Sequence, residues 1–347
     1  MIEAKGYAAY DAQSSLKPFA FGRRDLGDSD VLIDILYCGV CHSDHHQVRN
    51  EWSGTRYPVV PGHEIVGRVA GVGAKATKFR AGDTVGVGCF VDSCRRCDAC
   101  RRGLENYCVA PVMTYNSLEK DKKTPTYGGY SSRVVVDQDF VLRVAAKGRL
   151  EAVAPLLCAG ITTFSPLRHW KIGKGHRVAV LGLGGLGHMA VKLGNALGAE
   201  VTLLSSSPSK KTDAKRLGAH EFLLTSDGGA LASAKERFDF IIDTVSAPHD
   251  LAALAGLLKL DGTLILLGVP PKPAEVPAFA VIARRRSIAG SLVGGIAETQ
   301  EMLDFCNERG IVADVETIPI QQIDVAYDRM LKGDVRYRFS IDMASLR

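Results

Sequence analysis

The run Gly182-Leu183-Gly184-Gly185-Leu186-Gly187 constrains the fold more than any other feature, because of what flanks it. It follows the apolar stretch Arg177–Leu181 directly and opens a helical run at His188–Leu197. In such a strand–turn–helix unit the first glycine permits the tight turn. The next lets the backbone approach a pyrophosphate, and Gly187 lets helix and strand pack closely. The helix N-terminus then favours phosphate charge. Glycine clusters alone mark loops, so the weight rests on context, and the context continues. Strands are predicted at Val201–Leu204, Glu221–Leu224, Phe238–Asp243, Gly262–Leu267 and Ser287–Ala289, with helices at Ser209–Leu217, His249–Leu258 and Val276–Arg285. This alternation specifies an α/β, doubly wound parallel sheet.

Upstream of about residue 150 the pattern changes. Short alternating runs at Val31–Ile35, Ile65–Gly71, Asp83–Val87 and Ser132–Val136, broken by glycine and proline, describe a β-rich, partly barrel-like domain. A chain of 347 residues accommodates two domains. A helix at Glu298–Arg309 and a strand in YRFSID follow the parallel region.

Cys94-x-x-Cys97-x-x-Cys100 followed by Cys108 can close four thiolates on one tetrahedral ion, the pattern of a structural zinc site. Disulfides fit poorly: the chain is long enough to build its own core, and its nine cysteines are an odd number. The opening MIEAKGYAAYDAQ lacks the charged start and apolar run of a secretory signal. Spacing alone leaves an iron–sulfur site open. The formal charge of +5 is mild, and Arg95, Arg96, Arg101 and Arg102 are interleaved with Asp92, Asp98 and Glu105, which argues against a nucleic-acid patch. No apolar run reaches membrane-spanning length. The expectation is a soluble, cytoplasmic protein with no nucleic-acid or membrane partner.

The end of the second parallel strand bears on cofactor choice. NAD sites place a carboxylate about 20 residues after the glycine turn. Here the strand runs into Ser205, Ser206, Ser207, Pro208, Ser209, Lys210 and Lys211, with hydroxyls and cations suited to a 2′-phosphate. NADP(H) is the expected nucleotide.

Further motifs share one order along nearly the whole chain: CGVCHSDHHQ at Cys38–Gln47, PGHEIVG at Pro61–Gly67, GDTVGVG at Gly82–Gly88, the cysteine loop, GGYS at Gly128–Ser131, LLCAGITT at Leu156–Thr163, the glycine turn, SSSPSKK, DTVSAPH at Asp243–His249, AGSLVGGIAETQEML and RYRFSID. The chain resembles the zinc-dependent medium-chain alcohol dehydrogenases, in their cinnamyl-alcohol-dehydrogenase-like branch with its bacterial aldehyde reductases. The resemblance implies a GroES-like catalytic domain at 1–152 and 293–347, a structural-zinc lobe at about 89–112, and a Rossmann domain at 153–292. It implies catalytic zinc on Cys41, His63 and Cys158, and structural zinc on Cys94, Cys97, Cys100 and Cys108. Asp44 would hold a ligand imidazole, Glu64 would approach the metal on ligand exchange, and Ser43 and His46 would relay a proton, with His45 a solvated neighbour. His42, Thr162, Gly182, Gly184, Gly185, Leu186, Gly187, Ser205, Ser206, Ser207, Lys210, Lys211, Thr244, Val269 and Arg338 would contact the cofactor. Trp52, Phe90, Tyr115 and Val293, on a strand Leu292–Ile296, would line a pocket for apolar or aromatic aldehydes. A homodimer is expected.

The implied reaction is hydride transfer between NADPH and an aldehyde, with zinc as the Lewis acid. Three alternatives are a zinc-free quinone or enoyl reductase of the same superfamily, a zinc-ribbon nucleic-acid binder, and a redox sensor built on Cys38 or Cys89. The Cys41, His63 and Cys158 motifs oppose the first, and the dinucleotide turn and mild charge oppose the second.

Overall fold

The computed structural model describes residues 1–145, 148–270 and 272–346. The chain divides into two compact units, Met1–Ile161 with Gly294–Arg347, and Thr162–Val293. The expected bounds were 152/153 and 292/293. Residues 153–161 group with the first unit, where Leu157 packs against Gly86 and the Ala152 carbonyl accepts the Ala313 amide at 3.1 Å.

The first unit is organised by one long strand, Asp30–Val40, whose apolar residues Val31, Ile33 and Ile35 alternate into the core. It pairs antiparallel with Ile65–Val72, Arg133–Asp137 and Arg338–Asp342. Val315–Pro319, Thr84–Val87 and Leu142–Arg143 complete the seven-stranded sheet. The register Ile341↔Cys38 returns the C-terminal strand to the first unit and seats Arg338 near the end of the long strand. Ile2–Ala8 pairs with Lys17–Arg23, and Phe90–Asp92 with Val112–Met113.

The second unit is a six-stranded parallel sheet in the order Glu221–Leu224, Glu200–Ser205, Arg177–Leu181, Phe238–Asp243, Leu258–Leu266, Ser287–Gly290. The β-branched and leucine runs fill its core through Phe238, Ile241, Leu254 and Leu264. The first strand in sequence, Arg177–Leu181, lies between Glu200–Ser205 and Phe238–Asp243. Strand order therefore reverses there, and its carboxyl end is the crevice where such sheets take ligands. The expected helix Val276–Arg285 is shorter, Ala278–Ile282, and Arg285 stands at a positive φ of 48°.

The expected strand Leu292–Ile296 is absent. The strand ends at Gly290, Val293 adopts a φ of 39°, and Ile296 already begins the helix Ile296–Arg309. Successive residues Gly294 and Gly295 there have no room for a Cβ beside Ile161 and the Gly103 carbonyl, which selects a close-packed loop over a pleated strand. Among the described residues no single helix is long and apolar enough to cross a membrane.

Candidate active site

Cys41 ends the long strand and caps the helix His42–Val48, and the sequence fixes that junction through Asp44. Asp44 Oδ2 accepts the Cys41 amide at 3.0 Å, in capping-box fashion. Oδ1 accepts the Gly62 amide at 3.0 Å and His63 Nδ1 at 2.9 Å, and Tyr130 donates its hydroxyl to Oδ2 at 3.4 Å. One fully buried carboxylate therefore ties the helix start to the Pro61–Glu64 turn. Gly62 is required in that turn: its φ is 104°, and a Cβ would stand 2.6 Å from the Tyr130 ring. With Nδ1 held by Asp44, His63 Nε2 is left to serve as a ligand.

Cys158 follows the turn Ala154–Leu157 and brings its sulfur 4.0 Å from that of Cys41. Cys41, His63, Glu64 and Cys158 are all buried, and one ligand atom from each lies within 4.8 Å of the others. Tetrahedral zinc, with bonds of about 2.3 Å to sulfur, sets two thiolates about 3.8 Å apart, so the donor set fits that ion. The hydrogen bond from Cys158, with Arg338 and His63 nearby, holds the Cys41 thiol well below its usual range. The reciprocal bond pushes Cys158 well up, so the pair shares a proton that a metal would replace. Burial opposes protonation of His63, but Asp44 and Cys89 raise it well above the ordinary imidazole value.

Glu64 is fully buried and paired with Arg338, which is itself buried. Burial pushes the Glu64 carboxyl up to about 7 against the pull of Arg338. Its Oε2 has no hydrogen-bond partner among the described residues, and a Cβ on Gly39 would fall 1.9 Å from that oxygen. Arg338, expected at a cofactor phosphate, is thus engaged by a carboxylate beside the metal-ligand group.

Tyr115 donates its hydroxyl to the Ser43 carbonyl at 3.3 Å and lies 5.9 Å, ring to ring, from His63. Ser43 is half-buried and His42 exposed. His46 pairs through Nδ1 with Glu51, and Trp52 stacks 5.1 Å from its ring while remaining exposed. His45 is not a solvated neighbour: it is buried edge-on against Tyr327 at 5.4 Å, because its helix face turns towards the helix Ile323–Leu331. Phe90 is buried against Phe140 at 6.1 Å in the core beside the cysteine loop. Cys89, considered above only as part of a redox sensor, is the residue that reaches the site. It bonds to Cys158 and faces the Leu157 carbonyl at 3.9 Å.

The cysteine quartet forms the second group, with ligand atoms within 4.8 Å. Cys100 Sγ lies 3.9 Å from Cys94 and 3.5 Å from Cys97. Backbone amides supply the electrostatics: Cys94 N–H reaches Cys108 Sγ at 3.2 Å, Cys97 N–H reaches Cys94 Sγ at 3.3 Å, and Ala110 N–H reaches Cys108 Sγ at 3.3 Å. The amides of Cys100 and Val109 bring the Cys97 thiol down to about 6.

In the second unit Gly182 has a φ of 88°, and Gly187 would place a Cβ 2.0 Å from the Gly182 carbonyl. Gly184 faces open space, whereas Gly185 and Leu186 complete the turn into the helix Gly187–Ala196. Thr244 braces the turn, donating to the Leu181 carbonyl at 2.7 Å. Ser205 accepts the Ser207 amide at 3.2 Å beyond the strand end, with Ser206 exposed and Lys211 exposed at the next helix start. Thr162 is buried on the helix Ala159–His169, and Val269 is exposed with its amide on Ser246.

Residues 27–146 match the alcohol dehydrogenase GroES-like domain, and residues 185–308 the zinc-binding dehydrogenase family. The chain is 54% identical to the aldehyde reductase YahK of Escherichia coli (strain K12), over 99% of each chain. It is 55% identical to NADP-dependent alcohol dehydrogenase C 1 of Mycolicibacterium smegmatis (strain ATCC 700084 / mc(2)155), over 100% of each. It is 49% identical to a solved cinnamyl alcohol dehydrogenase of Sorghum bicolor (SbCAD4), with a TM-score of 0.96 over 99% of this chain and 98% of that one. The chain is an enzyme of the zinc-dependent medium-chain alcohol dehydrogenase family, in its cinnamyl-alcohol-dehydrogenase-like branch.

Proposed function

We propose that this alcohol–aldehyde oxidoreductase uses NADPH and two zinc ions per chain to reduce apolar or aromatic aldehydes. The observation that carries the reading is the convergence of Cys41, His63 and Cys158, from three separate elements, on one buried point beside Ser43 and Tyr115. Zinc held there would act as a Lewis acid on the substrate oxygen. NADPH would supply the hydride.

The chain's own residues do the rest. Asp44 fixes the His63 tautomer and ring plane, so that Nε2 and not Nδ1 faces the sulfurs. The Ser43 hydroxyl, two residues after Cys41, would give a proton to the reduced oxygen. His46 is the outer end of that relay, and its pairing with Glu51 provides a proton acceptor at the surface. The Tyr115 ring lies beside that of His63. Cys94, Cys97, Cys100 and Cys108 would hold the second ion, with four thiolates and no open position.

NADPH preference is supported by the Ser205–Lys211 segment, which offers hydroxyls and cations and no carboxylate, and by the NADP-dependent relative. A second copy of the chain is the proposed partner, since Ser287–Gly290 lies at the edge of its sheet. Steady-state kcat/KM with NADPH and NADH tests the preference. Ser206→Asp is expected to move the ratio towards NADH by about 10–100-fold, the worth of a charge-assisted hydrogen bond turned into repulsion. Equal values for both cofactors in the wild type would overturn it.

A further inference from the structure

We propose that His45, His46 and Glu51 form a third metal site, taking a divalent transition-metal cation such as Zn²⁺, and that filling it inhibits the enzyme. His45 and His46 are consecutive on the helix His42–Val48. The chain then turns back on itself: the His45 carbonyl accepts the Arg49 amide at 2.9 Å and the His46 carbonyl accepts the Glu51 amide at 3.0 Å. That turn carries the Glu51 carboxylate over the helix end. One ring nitrogen from each imidazole and one Glu51 oxygen lie within 4.8 Å of one another.

A second observation points to a ligand. His45 is 8% exposed, and its buried Nδ1 has no hydrogen-bond partner among the described residues. A buried polar atom left unpaired is costly, and an imidazole nitrogen beside another imidazole and a carboxylate is a natural metal donor. Two rings are already fixed, His45 by Tyr327 and His46 by Trp52, so little ordering would be needed on binding.

The charges that face the group favour a cation. Glu51 and Asp328 are the carboxylates acting on His45, and Arg49 and His46 are the groups opposing them. The Arg49 guanidinium is occupied elsewhere, donating to the carbonyls of Ala12 and Ser14 at 3.2 and 3.0 Å. Two neutral imidazoles and one carboxylate leave positions open for water, as in an exchangeable site rather than a closed structural one. A metal on one ring nitrogen leaves that imidazole's single proton on the other, and protons compete with the metal for the same nitrogens, so affinity weakens as pH falls. The inhibitory half of the proposal rests on His46 being the outer end of the proton relay. With one ring nitrogen taken by the metal, His46 has no free lone pair with which to accept a proton and pass it on.

The test is equilibrium dialysis of the enzyme, carrying its resident zinc, against Zn²⁺, with turnover measured on the same samples. One further equivalent per chain is expected to bind. Its affinity should fall by about tenfold or more in His45→Phe, which keeps the ring contact with Tyr327, and in Glu51→Gln. No further equivalent, or one retained with unchanged affinity in both variants, would overturn the site. An equivalent that binds in the expected manner while turnover is unchanged would leave the site standing. It would overturn both the inhibition and the relay role of His46.

Discussion

The two cysteine-bearing groups of the first unit use the same chemistry and are built in opposite ways. Cys94, Cys97, Cys100 and Cys108 come from one short segment, and their sulfurs are steadied by amides of that same segment. Cys41, His63 and Cys158 come from a strand end, a turn and a helical turn. They meet because the long strand Asp30–Val40 and the Asp44 carboxylate bring those elements together. In the quartet the ion would organise the chain. In the dispersed group the chain is already organised, and the ion would be held in a prepared place. Removing a ligand should therefore cost structure in one case and chemistry in the other.

The largest effect is expected for Cys158→Ala. Losing the ion removes several kcal/mol of charge stabilisation, about 10³-fold or more in turnover. Zinc content should fall from two equivalents to one, while the thermal midpoint stays close to that of the wild type. Two equivalents retained, or undiminished turnover, would break the comparison at its catalytic end.

Cys97→Ser addresses the other end. The loop has little apolar core of its own, since no residue of the short helix Asp98–Arg101 is buried. Order there depends on the ion, and structural zinc contributes folding free energy directly. Hydrogen exchange should accelerate across about residues 89–112 and the thermal midpoint should drop. Enzyme that stays folded should keep turnover within about tenfold. A variant that loses turnover as completely as Cys158→Ala, with the loop still protected, would show that the two groups are not independent.

The same contrast explains what was legible in the sequence. The quartet and the glycine turn could be read from spacing, because their ligands and turns are set within a few residues. The parallel strands could be read as well: Arg177–Leu181, Glu221–Leu224 and Phe238–Asp243 fall where the apolar runs put them. The dispersed group was reachable only through resemblance, because separations of tens of residues carry no geometry. Local readings failed where tertiary packing decides. His45 reads as a polar helix residue until the helix Ile323–Leu331 is seen to cover it. Phe90 packs against Phe140 in the core, while Cys89 beside it faces the Leu157 carbonyl next to Cys158. Val293 leaves the expected strand because Gly294 and Gly295 must pack against Ile161 and Gly103.

Asp44→Asn sharpens the comparison with the smallest change, because it alters no ligand. The carboxylate accepts from Cys41, Gly62 and His63 at 2.9–3.0 Å, with a longer bond from Tyr130. An amide can satisfy only one side of that set, and its NH₂ must face either the Cys41 amide or the donors from Gly62 and His63. His63 loses its fixed ring plane, and the turn loses its tie to the helix. Positioning partners of metal-bound imidazoles are worth about 10–100-fold in affinity, so zinc at the dispersed group should weaken by that factor. The quartet should keep its ion through the same chelator titration, because none of its sulfurs is held by Asp44. Parallel loss of both ions would mean that the quartet too depends on the surrounding fold, and the distinction between a metal that shapes its loop and a fold that shapes its metal site would fail.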